Sequence, residues 1–258
     1  MIINGRSIYM GKATGKVVKL NDAFSFLGGV DASTGELKVE DGGNISNKIF
    51  VFPKGKGSTV GSFVMYDLMV HGKAPAAVIN RSAETIVTTG AVIASIPMVD
   101  NIDVDLICNG DEVVVDGDIG TVDIKGVKCI GAVSSALIVD DKVLLLKRPK
   151  TARSFPDVQS LVAGKIEPGE TPEEAAKREI FEETQIVVDK PNVSGPKIYV
   201  REGDVIWEVY PFMYKLSAAK PVLNHENVSY EWFPVEEMKS KKTTVAKTNE
   251  IVAEMLKM

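Results

Sequence analysis

The sequence predicts an α/β protein of two domains, and three observations carry that prediction. The chain has 258 residues and a mass of 27.9 kDa, which suits two domains of about 130 residues better than one. Its first half alternates short Val- and Ile-rich runs with brief helical stretches. Its second half repeats the alternation around one long charged helix and holds both tryptophans, Trp207 and Trp232. The join falls near Asp123-Ile124-Lys125-Gly126-Val127-Lys128-Cys129, dividing the chain into residues 1–127 and 128–258. No Pro- or Ser-rich linker, fixed-period repeat or low-complexity tract marks the boundary.

In the first half, residues 15–20 and 48–52 read as strands, the second closed by Pro53. A glycine loop follows, Gly55-Lys56-Gly57-Ser58-Thr59-Val60-Gly61-Ser62, and then a helix over 63–71 that Gly72 stops. Residues 76–79 read as an apolar strand, 83–95 as a helix and 96–99 as a short strand. Runs at 112–115 and 121–124 flank Asp116-Gly117-Asp118-Ile119-Gly120, a hairpin signal. In the second half, strands over 131–139 and 142–147 turn at Asp140-Asp141. A helix starts at Pro172, with Thr171 as N-cap and Glu174 completing a capping box. Strands near 197–201 and 206–216 and a last helix over 244–256 complete the pattern.

Composition excludes several classes. With 45% hydrophobic and 25% charged residues, neither extensive disorder nor a fibrous fold is expected. A net charge of −5 argues against nucleic-acid binding by electrostatics. No apolar run approaches the roughly 18 residues of a membrane span, and the N-terminus lacks a signal-peptide core. Two cysteines, Cys108 and Cys129, make neither a disulfide framework nor a metal cage. A soluble, cytoplasmic protein that binds neither nucleic acid nor membrane is expected.

The sharpest motif lies in the second half. Five residues separate Gly164 from Glu170, and seven more lead to Arg178-Glu179-Ile180-Phe181-Glu182-Glu183. On a helix, Glu179, Glu182 and Glu183 stand at i, i+3 and i+4 and share a face. Three like charges there repel unless a cation neutralises them, and an all-oxygen donor set suits Mg²⁺ or Mn²⁺ bridging to phosphate oxygens. A charge run is more often a solvated helix face. Six specified positions at roughly one in fifteen each make coincidence about one in ten million per start point, so chemistry is the stronger reading.

This stretch resembles the Nudix box, and residues from Gly131 to Met255 resemble a whole Nudix hydrolase domain. The resemblance implies an α/β/α sandwich and hydrolysis of a diphosphate linkage in a small molecule, a nucleoside diphosphate derivative or a related diphosphate. It makes Glu179, Glu182 and Glu183 metal ligands, with Glu182 and Glu183 at the catalytic centre. Arg178 orients them and contacts substrate, Glu170 is the upstream glutamate, and Gly164 brings loop backbone to the metal. The segment His225-Glu226-Asn227-Val228-Ser229-Tyr230-Glu231-Trp232 is similar to a later family segment, making Glu226 a further ligand or base. Gln185 replaces the last glycine of the box, where a left-handed residue is needed, so a reshaped loop is expected. Arg153, Phe155, Trp207 and Tyr210 are candidates for the pocket wall, though aromatic residues more often serve the core.

The loop Gly55–Ser62 follows a strand and opens a helix, which offers backbone N–H groups to an anion. It lacks the Gly-Lys-Ser/Thr ending of an ATPase loop. Gly11-Lys12-Ala13-Thr14-Gly15, Phe24-Ser25-Phe26-Leu27-Gly28-Gly29-Val30-Asp31, Gly55-Lys56-Gly57-Ser58 and Gly72-Lys73-Ala74-Pro75-Ala76-Ala77 resemble, in that order, the swivelling β/β/α small subunit of aconitase X enzymes. In archaea that subunit belongs to phosphomevalonate dehydratase, which removes water from 5-phosphomevalonate. The resemblance makes Ser58 the base that takes the substrate proton, with Gly57 and Thr59 binding substrate beside it. Ser62 is a rival for the base. Such dehydratases resemble aconitase in using a 4Fe-4S cluster on three cysteines. Cys108 and Cys129 fall one short, so the cluster must come from a separate aconitase X large subunit.

Three alternatives accompany this reading. The first domain could be a non-catalytic docking module, or the small subunit of another hydroxy-acid dehydratase. The run Thr88–Val99 also resembles a swivelling phosphohistidine domain, but that chemistry needs a histidine nucleophile and only His71 and His225 exist. For the hydrolase half, an isoprenoid diphosphate and a nucleotide derivative such as ADP-ribose both remain open.

Overall fold

The computed structural model describes residues 1–40, 42–152, 155–242, 244–245 and 247–258. It divides into two units, Met1–Lys128 and Cys129–Met258.

The first unit runs β1 (Ile2–Asn4), β2 (Arg6–Tyr9), β3 (Lys12–Lys19), α1 (Phe26–Gly29), β4 (Ile49–Phe52), α2 (Val60–Val70), β5 (Ala77–Asn80), α3 (Thr85–Ile93), β6 (Met98–Asp100), β7 (Glu112–Asp116) and β8 (Thr121–Ile124). The strands are ordered β1-β8-β7-β3-β4-β5-β6-β2. Strands β3 to β6 pair in parallel, and β7, β8, β1 and β2 add antiparallel flanks. Every residue of β4 and β5 is buried, as central parallel strands require, and that is why Ile49–Phe52 and residues 77–79 read as apolar runs, with the polar Asn80 buried at the end of β5. The result is the β/β/α arrangement expected for this half. Beneath the glycine loop, Phe24, Phe26, Phe50 and Phe52 pack with ring centroids 4.7 to 6.0 Å apart.

Helix α2 begins at Val60, three residues before the sequence reading placed it. The Ser58 and Thr59 carbonyls accept from Gly61 and Ser62 N–H at 2.9 and 3.2 Å, so the first turn closes directly after the glycines. Gly72, at φ +64°, ends the helix as expected. Strands β1 and β2 and the kinked turn α1 were not legible, being only three or four residues long.

The second unit runs β9 (Lys128–Val139), β10 (Lys142–Lys147), β11 (Gln159–Ser160), β12 (Val162–Lys165), α4 (Pro172–Thr184), β13 (Val193–Ser194), β14 (Ile198–Glu202), β15 (Val205–Lys215), β16 (Ser229–Pro234), a 3-10 turn over Val235–Ser240, and α5 (Thr248–Met255). Asp140 and Asp141 both take left-handed φ, the pairing a two-residue hairpin prefers. Strand β9 alternates faces: Val133 and Leu137 pack under α4 with Ala175, Ala176 and Ile180. Ala136 and Ile138 pack under α5 with Ile251, Val252 and Met255. A sheet with a helix on each side is the α/β/α sandwich the sequence implied. Helix α5 starts at Thr248, four residues later than the apolar spacing suggested. Among the described residues, no helix is long and apolar enough to cross a membrane.

Candidate active sites

Helix α4 is fixed at its start by the foreseen capping box. Thr171 Oγ1 accepts from Glu174 N–H at 3.3 Å, and Glu174 Oε2 accepts from Thr171 N–H at 2.8 Å. The helix thereby presents its acidic stripe to β12. Glu183 is only 5% exposed, with Oε2 accepting from Asn227 Nδ2 at 2.8 Å and Oε1 from Ala163 N–H at 3.4 Å. Burial pushes its carboxyl up to about 8; the Asn227 bond opposes the rise and the Glu179 charge adds to it. Burial also raises Glu179, against the lowering pull of Arg178. Glu182 lies at the surface.

Arg178 stitches loop to helix. Its Nε and Nη2 donate to the two Glu170 oxygens at 2.9 and 3.0 Å, and Nη2 also donates to Lys165 O at 2.9 Å. Its Nη1 donates to Glu179 at 2.7 Å and to Glu182 at 3.3 Å. The Arg178 bonds hold Glu170 below the usual carboxylate range, outweighing its slight burial. A Cβ on Gly164 would stand 1.9 Å from the Glu179 carboxyl, so only glycine lets backbone and acid meet there.

These residues fit a divalent cation by donor chemistry: the buried Glu183, which has no cationic partner among the described residues, its helix neighbours Glu179 and Glu182, and a backbone cradle at Gly164. Among the described residues, no three ligating side chains close into a metal-binding cluster, the Glu179 and Glu182 carboxylates being turned to Arg178. Glu179, Glu182, Gly164, Arg178 and Glu226 line one cavity of about 450 Å³. Glu226 lies at its exposed edge.

Of the proposed wall residues, Phe155 and Trp207 line that cavity. Tyr210 does not; β15 alternates, so Tyr210 packs on the α4 side and donates to Glu208 at 2.9 Å. Arg153 lies outside the described residues. Gln185 corrects the expectation of a reshaped loop, because it adopts the left-handed conformation itself (φ 58°) and donates its N–H to Phe181 O at 2.8 Å. The accompanying strain is about 1 kcal/mol. The sequence reading missed Asn227 as the Glu183 partner; a buried amide beside the flagged Glu226 was its only signal.

In the first unit, Phe24 clamps the glycine loop. Its N–H donates to Lys54 O at 3.0 Å, and its carbonyl accepts from Lys56 N–H at 2.9 Å. Gly57 takes φ +105°, and a Cβ there would meet Ser25 Oγ at 2.7 Å. Gly55 sits against Glu84, whose carboxylate caps α3 by accepting from Ile86 and Val87 N–H at 2.9 and 3.0 Å. Gly57, Ser58 and Thr59 are exposed at the loop tip. Among the described residues, Ser58 Oγ accepts only the weak contact from Val60 N–H, at 3.3 Å. The rival Ser62 is buried and donates to Thr59 O at 2.8 Å. Beside the loop, Phe63 (67% exposed), Tyr66 (46%) and Val70 (59%) form an uncovered apolar stripe along α2.

The fold and these two sites define a two-domain chain, a swivel-type domain followed by a Nudix-type domain. Residues 2–124 match the aconitase X swivel domain, and residues 131–255 match the NUDIX domain. The phosphomevalonate dehydratase small subunit of Thermococcus sibiricus is 49% identical over 129 residues, covering 48% of this chain and 99% of its own. The same is seen for the crystal structure of Thermococcus kodakaraensis aconitase X, with 50% identity, a TM-score of 0.47, and 48% and 98% of the two chains covered. A MutT protein from Methanosarcina mazei Go1 is similar at 22% identity and a TM-score of 0.47, covering 51% of this chain and 95% of that one. By its first half the chain belongs to the phosphomevalonate dehydratase small-subunit family, and its second half matches the Nudix hydrolase family.

Proposed function

We propose that the chain is bifunctional: a Mg²⁺- or Mn²⁺-dependent diphosphate hydrolase in residues 131–255 and the small subunit of a phosphomevalonate dehydratase-type hydro-lyase in residues 2–124. The hydrolase reading is supported above all by Gly164 yielding its side-chain space to Glu179, and by a buried Glu183 that no cation among the described residues neutralises. Glu179, Glu182 and Glu183 would hold the ion, with the Gly164 carbonyl and Glu226 completing its surroundings. Once bound, it would neutralise diphosphate oxygens and activate water. Arg178 keeps the acids in register and faces the substrate at the cavity wall.

The dehydratase reading is supported by end-to-end similarity to small subunits at about half identity. Ser58 stands ready as base at an exposed loop tip, and Gly57 and Thr59 offer backbone to the substrate. A cluster-bearing large subunit completes that site by covering the loop and the Phe63, Tyr66 and Val70 stripe, since exposed apolar patches of this kind mark interaction surfaces. The 4Fe-4S cluster is the partner's. Both activities fit a reducing, cytoplasmic compartment.

The test is reconstitution of the full chain with the large subunit. Ser58→Ala should lower dehydration of 5-phosphomevalonate by about 10²–10⁴-fold while Mg²⁺-dependent hydrolysis is unchanged. Dehydration at the wild-type rate would remove Ser58 from the chemistry and favour a docking module.

A further inference from the structure

Ser58 stands midway between two glycines, Gly55 three residues before it and Gly61 three residues after. Neither takes a left-handed φ, so glycine is there for close approach and not for conformation. Both approach the same object, the first turn of α3. A Cβ on Gly55 would stand 2.3 Å from Glu84 Oε1 and 2.6 Å from Val87 Cγ2, and a Cβ on Gly61 would stand 3.2 Å from Ile86 Cγ2. Glu84 fixes that turn, its carboxylate accepting from Ile86 and Val87 N–H at 2.9 and 3.0 Å. The segment leading into α3 is tied to the base of the glycine loop, where Arg81 and Ser82 N–H donate to Pro53 O at 3.0 and 3.1 Å. Phe24 pairs with Gly55 as a bridge. Glutamate is an unusual N-cap: serine, threonine, aspartate and asparagine are preferred, because a short side chain reaches the helix amides. A shorter acid would cap α3 as well, but it would stand back from Gly55. The extra methylene carries Oε1 onto the glycine.

We propose that Glu84 is a positioning residue of the dehydratase half, its carboxylate serving as the stop against which Gly55 seats and so setting where Ser58 stands. This rests on the reading of Ser58 as the base. Glu84 does not take the substrate proton itself, since both of its oxygens are committed to α3 amides. Residues 57–60 at the loop tip are exposed, so the tip inherits its place from the seated glycines on either side. Misplacing a reacting group by about 1 Å can cost about 10²-fold in rate. A stop of fixed length beneath the loop guards against that displacement.

The experiment reconstitutes the full chain with the large subunit and measures dehydration of 5-phosphomevalonate. Glu84→Asp keeps an acid to cap α3 and withdraws it from Gly55. It should lower kcat about 10- to 100-fold and leave KM within about 3-fold. In a Ser58→Ala background the same substitution should change the residual rate by less than about 2-fold, because Glu84 acts through Ser58 alone. Hydrogen exchange of the full chain should show Lys56 and Gly61 N–H, which donate to Phe24 O and Ser58 O, exchanging about 10-fold faster in Glu84→Asp, with α3 unchanged. Wild-type kcat in Glu84→Asp would reduce Glu84 to a helix cap and overturn the proposal, as would an equal loss in both backgrounds. If the wild-type complex dehydrates nothing, or Ser58→Ala alone dehydrates at the wild-type rate, the dehydratase reading of Ser58 falls by itself. The exchange rates then decide: faster exchange upholds the Gly55 contact as the loop's stop, and unchanged exchange overturns it.

Discussion

Two carboxylates in this chain are almost equally buried and behave in opposite ways. Asp100, at the end of β6, is 1% exposed, and Glu183, on α4, is 5% exposed. Asp100 meets the Arg6 guanidinium through two bonds of 2.9 and 2.7 Å and accepts from Ala83 N–H at 2.9 Å. Burial alone would raise its carboxyl, but these bonds outweigh burial and hold it low. Glu183 receives only neutral donors, and burial carries it up to about 8. Arg178, on the same helix, is committed to Glu170, Glu179 and Glu182. A buried acid with its own cation is part of the scaffold; on the proposed hydrolase reading, the one left without is where a cation from outside would bind.

The sharpest way to break this contrast is to neutralise the α4 acids. Glu182→Gln with Glu183→Gln should lower Mg²⁺-dependent hydrolysis by 10²–10³-fold or more, and circular dichroism should report an intact fold. Activity within a few-fold of wild type would take these acids out of the mechanism. Next in size is Gly164→Ala, whose added carbon displaces the Glu179 carboxyl from the position it holds 1.9 Å away. Hydrolysis should fall about 10- to 100-fold, with dehydration by the reconstituted complex unaffected. An unaltered hydrolysis rate would show that backbone and acid need not meet.

The smallest expected effect is on the scaffold side. Asp100→Asn should destabilise the first unit by about 1–3 kcal/mol, read as faster hydrogen exchange in β4 and β5, and leave hydrolysis alone. The folded state holds Asp100 below its unfolded value. Its contribution is therefore complete above about pH 4, the unfolded value, and is lost as pH falls through the lower folded value. Exchange protection in Asp100→Asn should not fall across that acidic window as it does in the wild type. Parallel acid sensitivity in both would contradict the Arg6–Asp100 account.

Much of this was legible in the residues themselves. The Glu179, Glu182 and Glu183 stripe, the Thr171 cap and the apolar runs of β4 and β5 all follow from local spacing, which is what sequence records. The Asn227–Glu183 bond joins residues 44 positions apart, and the cavity lining draws Phe155, Trp207 and Glu226 from separate stretches of the chain. Neither leaves a periodic trace. The early start of α2 was hidden because glycines suppress a helix by propensity, while the Ser58 and Thr59 carbonyls supply the bonds that override it. Gln185 taking a left-handed shape shows the converse, local preference yielding to the helix end it must close.

The most direct test of the central claim is a Mn²⁺ titration of the full chain followed by electron paramagnetic resonance at neutral pH. The account predicts saturable binding in the wild type and in Asp100→Asn, and its loss in Glu182→Gln with Glu183→Gln. Equal Mn²⁺ uptake by that double variant, or no uptake by the wild type even with a diphosphate present, would contradict it.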